Sequence, residues 1–289
     1  MEIASVTIHP PSNQSKTMIR HLLPLLFIGP LLIHTTLWAG ADIAREQRQV
    51  EQIIDAILDG EPISLHAGQQ PFLGIKTLAE GHPKGNLLIM HGRGIHPDWH
   101  DLINPLRVDL VEHGWNTLSI QMPVLAKTAK YHDYLQIFPE AIPRIEAAIR
   151  HLREQHPGPI ILIAHSCSTH MVQHWLHQRG TLATATFDGY VGIGMGATDY
   201  QQPMQEAYIF DKIPAPILDL YAEHDHPAVI HSAPKRLDLI RQAGHPLSKQ
   251  LVIPDAEHEF REQGDAITEA IATWLARLQP RSSEQIKAQ

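Results

Sequence analysis

The segment at residues 161–168 reads Ile161-Leu162-Ile163-Ala164-His165-Ser166-Cys167-Ser168. Its first four residues form a continuous apolar run, which is typical of a strand buried on both faces of a sheet. A helical pattern follows at once over residues 169–179, so the chain turns from strand to helix at Ser166. A serine at such a junction lies beside free backbone N–H groups and the positive end of the helix dipole.

The alternation of strand and helix extends in both directions from this segment. Apolar runs predict further strands at residues 86–90, 116–121, 190–194, 216–221 and 250–253. Amphipathic patterns predict helices at residues 43–58, 98–113, 140–154 and 266–278. An antiparallel pair is predicted to open the sheet at residues 62–66 and 71–78. Short apolar strands that alternate with helices indicate a doubly wound α/β fold with a mostly parallel sheet.

The junction at Ser166 resembles the nucleophile elbow of the α/β-hydrolase superfamily, which has the pattern G-x-S-x-G. In that turn the serine adopts a strained backbone, and the residues two places before and after it are small. Here those places hold Ala164 and Ser168, which are small but are not glycine. A turn centred on Cys167 would place larger side chains there. The resemblance implies that Ser166 is the nucleophile, and the alternative is a serine that only caps the helix.

A second motif lies upstream, where the predicted strand 86–90 ends in His91-Gly92-Arg93-Gly94. This segment resembles the α/β-hydrolase loop that supplies one half of the oxyanion hole. The resemblance implies that the backbone N–H groups of Arg93 and Cys167 are the two donors. Glycine suits such a loop because the backbone itself must approach the substrate closely. An ordinary glycine-rich turn is the alternative.

The remaining members of a catalytic triad would follow the serine in the superfamily's order, first the acid and then the histidine. Two later predicted strands lead into loops that contain Asp225 and His258. An imidazole can take the serine proton near neutral pH, and a carboxylate fixes its tautomer and stabilises the imidazolium. The resemblance implies these roles for Asp225 and His258. Glu223 and Asp219 remain alternatives for the acid, and His258 could be a surface histidine.

The resemblance to the α/β-hydrolase superfamily covers about residues 62–278. Within it, the segment His91-Gly92-Arg93-Gly94-Ile95-His96-Pro97-Asp98-Trp99 resembles an uncharacterised bacterial family of exported proteins of unknown function. The superfamily implies hydrolysis of an acyl compound without a cofactor. The narrower resemblance implies no particular reaction.

The 21 histidines of the chain raise the alternative of a metal site. His170, His174 and His177 recur at helical spacing, which is a geometry that can hold zinc. Apolar residues occupy the opposite face of the same helix and must pack on the sheet, so we expect the histidines to face solvent. No H-E-x-x-H pattern accompanies them. The sequence therefore predicts neither a metal nor another cofactor.

The composition limits the class of partner. A formal net charge of -8 at pH 7 argues against the phosphate attraction that most nucleic-acid binding requires. The content of 43% hydrophobic and 19% charged residues is ordinary for a packed globular protein. A single cysteine, Cys167, excludes an intramolecular disulfide. We expect a small-molecule acyl substrate, no nucleic acid, and contact with a membrane only through an uncleaved leader.

The N-terminus has the pattern of a secretory signal. Lys16 and Arg20 precede an apolar run at residues 22–33, and small residues follow at 39–41. The run contains prolines and is shorter than the roughly 20 apolar residues of a spanning helix. We expect cleavage and a periplasmic or secreted protein, with an uncleaved anchor as the alternative. Met18 is a second candidate for the start of the chain.

We therefore expect an N-terminal extension and signal peptide over residues 1–41 and one α/β-hydrolase-like domain over residues 42–289. The segment 124–139, which contains Tyr131 and Phe138, is long enough to form either a small lid or a plain loop. Two functions remain open. One is a serine hydrolase acting on a small ester or related acyl compound. The other is a catalytically silent binding protein of the cell envelope with the same fold.

Overall fold

The computed structural model describes residues 40–278 and the isolated Thr7. The predicted signal segment, which occupies most of residues 1–41, lies outside the described residues, as does the end of the chain from residue 279. None of the helices within residues 40–278 is long and apolar enough to cross a membrane.

An eight-stranded sheet runs through the described residues. In chain order its strands are β1 (Glu61–Ala67), β2 (Gln70–Thr77), β3 (Asn86–Met90), β4 (Asn116–Ile120), β5 (Ile160–His165), β6 (Gly189–Ile193), β7 (Ile217–His224) and β8 (Lys249–Glu257). Their order across the sheet is β1-β2-β4-β3-β5-β6-β7-β8. β2 is antiparallel to both of its neighbours, and the pairs from β4 to β8 are parallel. The predicted antiparallel opening and the mostly parallel sheet are both confirmed.

Helices cover both faces of the sheet. They are α1 (Ile43–Ile53), α2 (Ile103–Glu112), α3 (Tyr131–Tyr134), α4 (Phe138–Gln155), α5 (Cys167–Arg179), α6 (Thr181–Thr184), α7 (Pro227–Ala243) and α8 (Gly264–Leu275). The largest apolar cluster lies between the sheet and α4 and α5. A second cluster lies on the other face, under α2 and α8. Because the central strands are covered on both faces, they read as continuous apolar runs in the sequence.

The sequence patterns did not predict α7, which connects β7 to β8. The buried face of this helix is narrow, since it consists of Val229, Ala233, Arg236 and Ile240. An arginine on that face and Pro234 within the helix both obscure the apolar periodicity. A parallel connection between neighbouring strands requires a crossover, which α7 supplies.

A buried ion pair attaches α1 to α4. The Arg144 guanidinium donates two hydrogen bonds of 2.8 and 3.2 Å to the Glu46 carboxylate, and both side chains are buried. Arg144 also donates to the carbonyl oxygen of Gln121 and lies over the ring of Phe72. Burial raises the pKa of Glu46, although the Arg144 charge opposes this shift. The pair therefore joins α1, α4 and the end of β4 at the expense of desolvating two charges.

We expect Arg144→Met to lower the free energy of unfolding by roughly 3–5 kcal/mol, because it leaves a buried carboxylate without its partner charge. The double variant Glu46→Met/Arg144→Met should recover much of that loss, since both charges are removed. Urea unfolding followed by circular dichroism measures both changes. Arg179→Met, which removes an exposed ion pair with Glu146, is the control and should leave the midpoint unchanged.

Candidate active site

Ser166 lies at the turn from β5 to α5 and has a strained backbone. Its φ of 54° and ψ of -117° fall in a region that non-glycine residues rarely adopt. The N–H of Ser166 donates to the carbonyl oxygen of Ile193 on β6, and its carbonyl oxygen accepts from the N–H of Thr169. These bonds fix the turn on both sides, so the side chain of Ser166 faces the cleft at the carboxyl edge of the sheet.

Ser168, the small residue two places after Ser166, makes side-chain hydrogen bonds that a glycine could not make. The Ser168 hydroxyl is fully buried and accepts a 2.9 Å hydrogen bond from the N–H of His165. It lies 2.8 Å from the carbonyl oxygen of Met90, the last residue of β3. Ser168 thus ties the end of β5 to the end of β3, which explains how the turn tolerates a departure from the G-x-S-x-G pattern.

The structure brings together the serine, histidine and aspartate that the sequence analysis selected. His258 Nε2 lies 2.8 Å from Ser166 Oγ, and His258 Nδ1 lies 2.6 Å from Asp225 Oδ1. Asp225 follows the last residue of β7, and His258 follows the last residue of β8. Because β7 and β8 are parallel neighbours, both loops leave the sheet at the same edge as the turn after β5. A continuous hydrogen-bonded chain results.

The alternative acids lie elsewhere. Asp219 is fully buried in the middle of β7, where Arg236 and Gln250 donate to it. Glu223 is exposed and accepts the N–H of Asp255. Only Asp225 of these three acids contacts His258.

The environment of Asp225 favours its charged form. Burial by itself would raise the pKa of this carboxyl, but the hydrogen bond and charge of His258 outweigh it and hold the pKa below its usual value. The N–H groups of Ala222 and His226 also donate to the carboxylate, at 3.1 and 2.7 Å. An ionised Asp225 accepts a hydrogen bond from the Nδ1–H of His258, which leaves Nε2 free to accept from the serine.

Gly194 leaves room for His258. It follows β6 with a φ of 62°, and a Cβ there would lie 2.8 Å from Cε1 of the His258 ring. Any side chain at this position would displace the imidazole. Gly194 was not singled out from the sequence, although a glycine at the end of a predicted strand was a signal that could have found it.

A second histidine fixes the loop after β3. His91 is buried, and burial lowers its pKa to about 3, so its ring stays neutral. The N–H of Met122 donates to His91 Nε2, and His91 Nδ1 donates to the carbonyl oxygen of Gly92 at 2.8 Å. A Cβ on Gly92 would lie 2.9 Å from His165 Nδ1 and 3.0 Å from Ser166 Cβ. The loop therefore packs directly on the turn that carries the serine.

His165, the residue before the serine, contacts the loop of the histidine. Its Nε2 donates to the carbonyl oxygen of His258 at 3.1 Å, and its Nδ1 has no hydrogen-bond partner among the described residues. Burial, and then the charge of His258, lower the pKa of His165 to about 3. No role was assigned to His165 from the sequence, and this contact was missed.

Ser166 and His258 open onto a cleft of about 710 Å³, and Asp225 is buried behind His258. Arg93 and Cys167 line it with Ser166 and His258, so all five residues selected from the sequence lie at this site or directly behind it. Tyr131 adds one wall of the cleft. The segment 124–139 thus contributes a cleft-lining ring, while its other aromatic residues pack into the core.

An ion pair crosses one side of the cleft. Arg93 donates to both oxygens of Asp199, and Asp199 also accepts the N–H of Tyr131 at 2.6 Å. Lys130 Nζ lies 3.7 Å from the same carboxylate. Asp199 therefore joins the loops after β3 and β6. Sequence reasoning missed this residue, and no local motif marks it.

The expectation that the histidine stripe of α5 faces solvent is wrong for His170. Its side chain is buried and donates from Nε2 to the carbonyl oxygen of Ala197 at 3.0 Å. His174 Nδ1 lies 2.8 Å from Glu206, and His177 donates to the carbonyl oxygen of Ala207. The segment after β6 folds over this face of α5, a long-range contact that helical periodicity does not report.

Among the described residues, the group with atoms close enough to hold a metal ion is Glu223, His224 and Asp255. All three are exposed, and they lie outside the lining of the cleft. The stripe histidines are not part of this group.

The fold is shared with solved α/β hydrolases. An esterase from Pyrococcus furiosus is 14% identical, with a TM-score of 0.57 over 78% of this chain and 95% of that one. A dienelactone hydrolase from Anabaena variabilis is 17% identical, with a TM-score of 0.55 over 75% and 97%. A serine hydrolase without a lid from Xanthomonas campestris is 13% identical, with a TM-score of 0.55 over 76% and 95%. No curated protein matches the chain by sequence.

A family model described as "Protein of unknown function (DUF3530)" matches residues 35–140. The match includes the loop after β3 and ends before Ser166, so it carries no information on the triad residues. The order of the strands and the likeness to these solved structures show that the chain has the α/β-hydrolase fold. Its residues 35–140 resemble a family whose function is unknown.

Proposed function

We propose that this protein is a serine hydrolase that cleaves a small ester or related acyl compound with Ser166, His258 and Asp225. The observation that carries the proposal is the hydrogen-bonded chain from Ser166 Oγ through His258 to Asp225, which begins at a strained turn. A serine that only capped its helix would bond a backbone N–H of the first turn, whereas Ser166 makes no such side-chain bond. The names of the solved relatives, among them an esterase and a dienelactone hydrolase, support the same reaction class.

The chemistry follows from the geometry of this chain. Ser166 Oγ attacks the acyl carbonyl carbon while its proton passes to His258 Nε2, and the carbonyl π electrons move onto the oxygen. The Asp225 carboxylate accepts a hydrogen bond from the Nδ1–H of His258, so the proton stays on the ring and the imidazolium is stabilised. When the intermediate collapses, Nε2 returns the proton to the leaving-group oxygen. Water then repeats the sequence on the acyl-enzyme, which releases the acid and restores Ser166.

The N–H groups of Arg93 and Cys167 are the proposed oxyanion donors. Cys167 is the first residue of α5, so its N–H has no acceptor within the helix. The Gly92 carbonyl oxygen bonds to His91, and in a planar trans peptide the Arg93 N–H points the opposite way. His91 therefore orients this donor away from itself. Such preorganised donors stabilise the charge that develops on the substrate oxygen.

The cleft supports a small substrate. It is lined by residues from several loops, and the ion pair of Arg93 and Asp199 crosses one side of it. The Cys167 thiol is buried, and burial raises its pKa to about 12, so it does not compete with Ser166 as a nucleophile. We propose an exported location, periplasmic or secreted, from the pattern of residues 16–41, and a reaction without metal or other cofactor.

Ser166→Ala and His258→Ala should each reduce kcat on short activated esters by on the order of 10⁴-fold, because the members of a triad act as one unit. Asp225→Asn should also be severe, since it disturbs the tautomer of His258. Hydrolysis is followed by release of a chromogenic alcohol, and circular dichroism confirms that each variant is folded.

Labelling of Ser166 by a fluorophosphonate probe is the direct companion measurement, because the probe reacts only with an activated serine. The parent should be labelled and should keep its activity after dialysis against a strong chelator. If Ser166→Ala hydrolyses as fast as the parent, the nucleophile assignment is wrong and the silent binding protein takes its place.

Gly92→Ala should lower kcat by about 10²-fold or more, because a Cβ there meets Ser166 and His165 and displaces the adjacent Arg93 N–H. Cys167→Ala is the matched control, since it removes a side chain but keeps the second proposed donor. It should retain most of the activity. Equal losses in the two variants would argue against the assignment of these donors.

The exported protein should begin near residue 40 after signal cleavage. Intact-mass measurement of protein from the periplasm or medium, after expression of the full chain in a Gram-negative host, reads the mature start directly. Recovery of only the full-length chain from the cytoplasm would contradict the proposed location.

A further inference from the structure

A second imidazole packs against the ring of His258. The rings of His226 and His258 have centroids 4.1 Å apart and planes inclined by 33°. His226 lines the same cleft as Ser166 and His258, and its side chain is exposed on that side. His226 has no part in the acyl transfer described above.

The backbone holds the His226 ring in this place. Residue 226 precedes Pro227, which restricts it to an extended conformation, and it has a φ of -53° and a ψ of 142°. Its N–H donates to Asp225 Oδ1 at 2.7 Å, the same oxygen that lies 2.6 Å from His258 Nδ1. The backbone of residue 226 thus fixes the acid of the triad while its ring covers the base. One residue therefore contacts both Asp225 and His258.

Desolvation in the wall of the cleft lowers the pKa of His226, which favours its neutral ring. A positive charge on His258 lowers that pKa further, so the preference for the neutral ring is greater when His258 is an imidazolium. The other charged groups that face it are Asp225, Glu259 and Arg93. A neutral aromatic face at van der Waals distance attracts a cation, so it favours the imidazolium that His258 becomes during the reaction.

The reaction also needs His258 to stay in one orientation. The imidazolium must return its proton from Nε2 to the leaving group and must not rotate away from Asp225. On the inner side, the carbonyl oxygen of residue 258 is fixed by the hydrogen bond from His165. On the side of the cleft, the ring is covered by His226. Loss of the His226 ring would leave that face of His258 to water.

We propose that His226 is a positioning residue. Its ring packs against the His258 imidazolium and holds it in place, and it does not itself transfer a proton. The proposal rests on the serine hydrolase function proposed above. It requires a planar, uncharged ring at position 226 and does not require an imidazole. Phenylalanine should therefore replace histidine there, whereas alanine should not.

The test compares His226→Ala, His226→Phe and the control His82→Ala in steady-state hydrolysis of a short activated ester. His82 is exposed and lies outside the lining of the cleft. His226→Ala should lower kcat by about tenfold with little change in KM, which is the size expected for one aromatic pair. His226→Phe and His82→Ala should stay within about twofold of the parent. A parent-like kcat in His226→Ala, or an equal loss in His226→Phe, would overturn the proposal.

Proton NMR separates this inference from the proposed function. The Nδ1 proton shared by His258 and Asp225 should give a low-field resonance in the parent and in His226→Phe, and it should broaden in His226→Ala through exchange with water. A resonance that is unchanged in His226→Ala overturns the positioning role whether or not the parent hydrolyses esters. An inactive parent that is not labelled by fluorophosphonate overturns the function instead, while the resonance still decides the role of His226.

Discussion

The arrangement of this site depends on one constraint, the strained backbone of Ser166 at the end of β5. A positive φ at a non-glycine residue costs about 1–3 kcal/mol and persists only where its surroundings enforce it. Here β6 enforces it through the carbonyl oxygen of Ile193, and β3 enforces it through the hydroxyl of Ser168. The strain is therefore maintained by two neighbouring strands, and the sheet must be assembled before the serine can face the cleft. Gly92 then packs directly on this turn and brings the loop after β3 to it.

The histidines around the cleft show that environment decides the role of a residue type. His91 and His165 are buried, and burial lowers the pKa of each to about 3, so both remain neutral and orient backbone carbonyl groups. His258 differs because a carboxylate lies 2.6 Å from its Nδ1. His226 differs again because its side chain is exposed at the cleft and its ring packs against another imidazole. Several histidines of this chain thus serve as neutral contacts in the site around one proposed catalytic base, His258.

Much of the fold could be predicted from periodicity, because strands covered on both faces appear as short apolar runs. The failures have specific causes. Helix α7 has a narrow buried face that includes Arg236 and is interrupted by Pro234, so its periodicity is weak. The stripe that begins with His170 is covered by the segment after β6, which is distant in sequence. The likeness to solved α/β hydrolases supports the fold that the ordered motifs implied.

Local sequence patterns were sufficient to predict the α/β class, the place of Ser166 at a strand-to-helix junction, and the loops in which an acid and a histidine follow it. The contact of His258 with Asp225, rather than with Asp219 or Glu223, depends on where β7 ends relative to β8, which is a property of the folded sheet. The contacts of His165 and Gly194 likewise arise only on folding, because they join strands that are separated in the chain. The carboxyl ends of parallel strands lie at the same edge of the sheet, so residues far apart in sequence meet there. No local pattern in the sequence records which of their atoms come into contact.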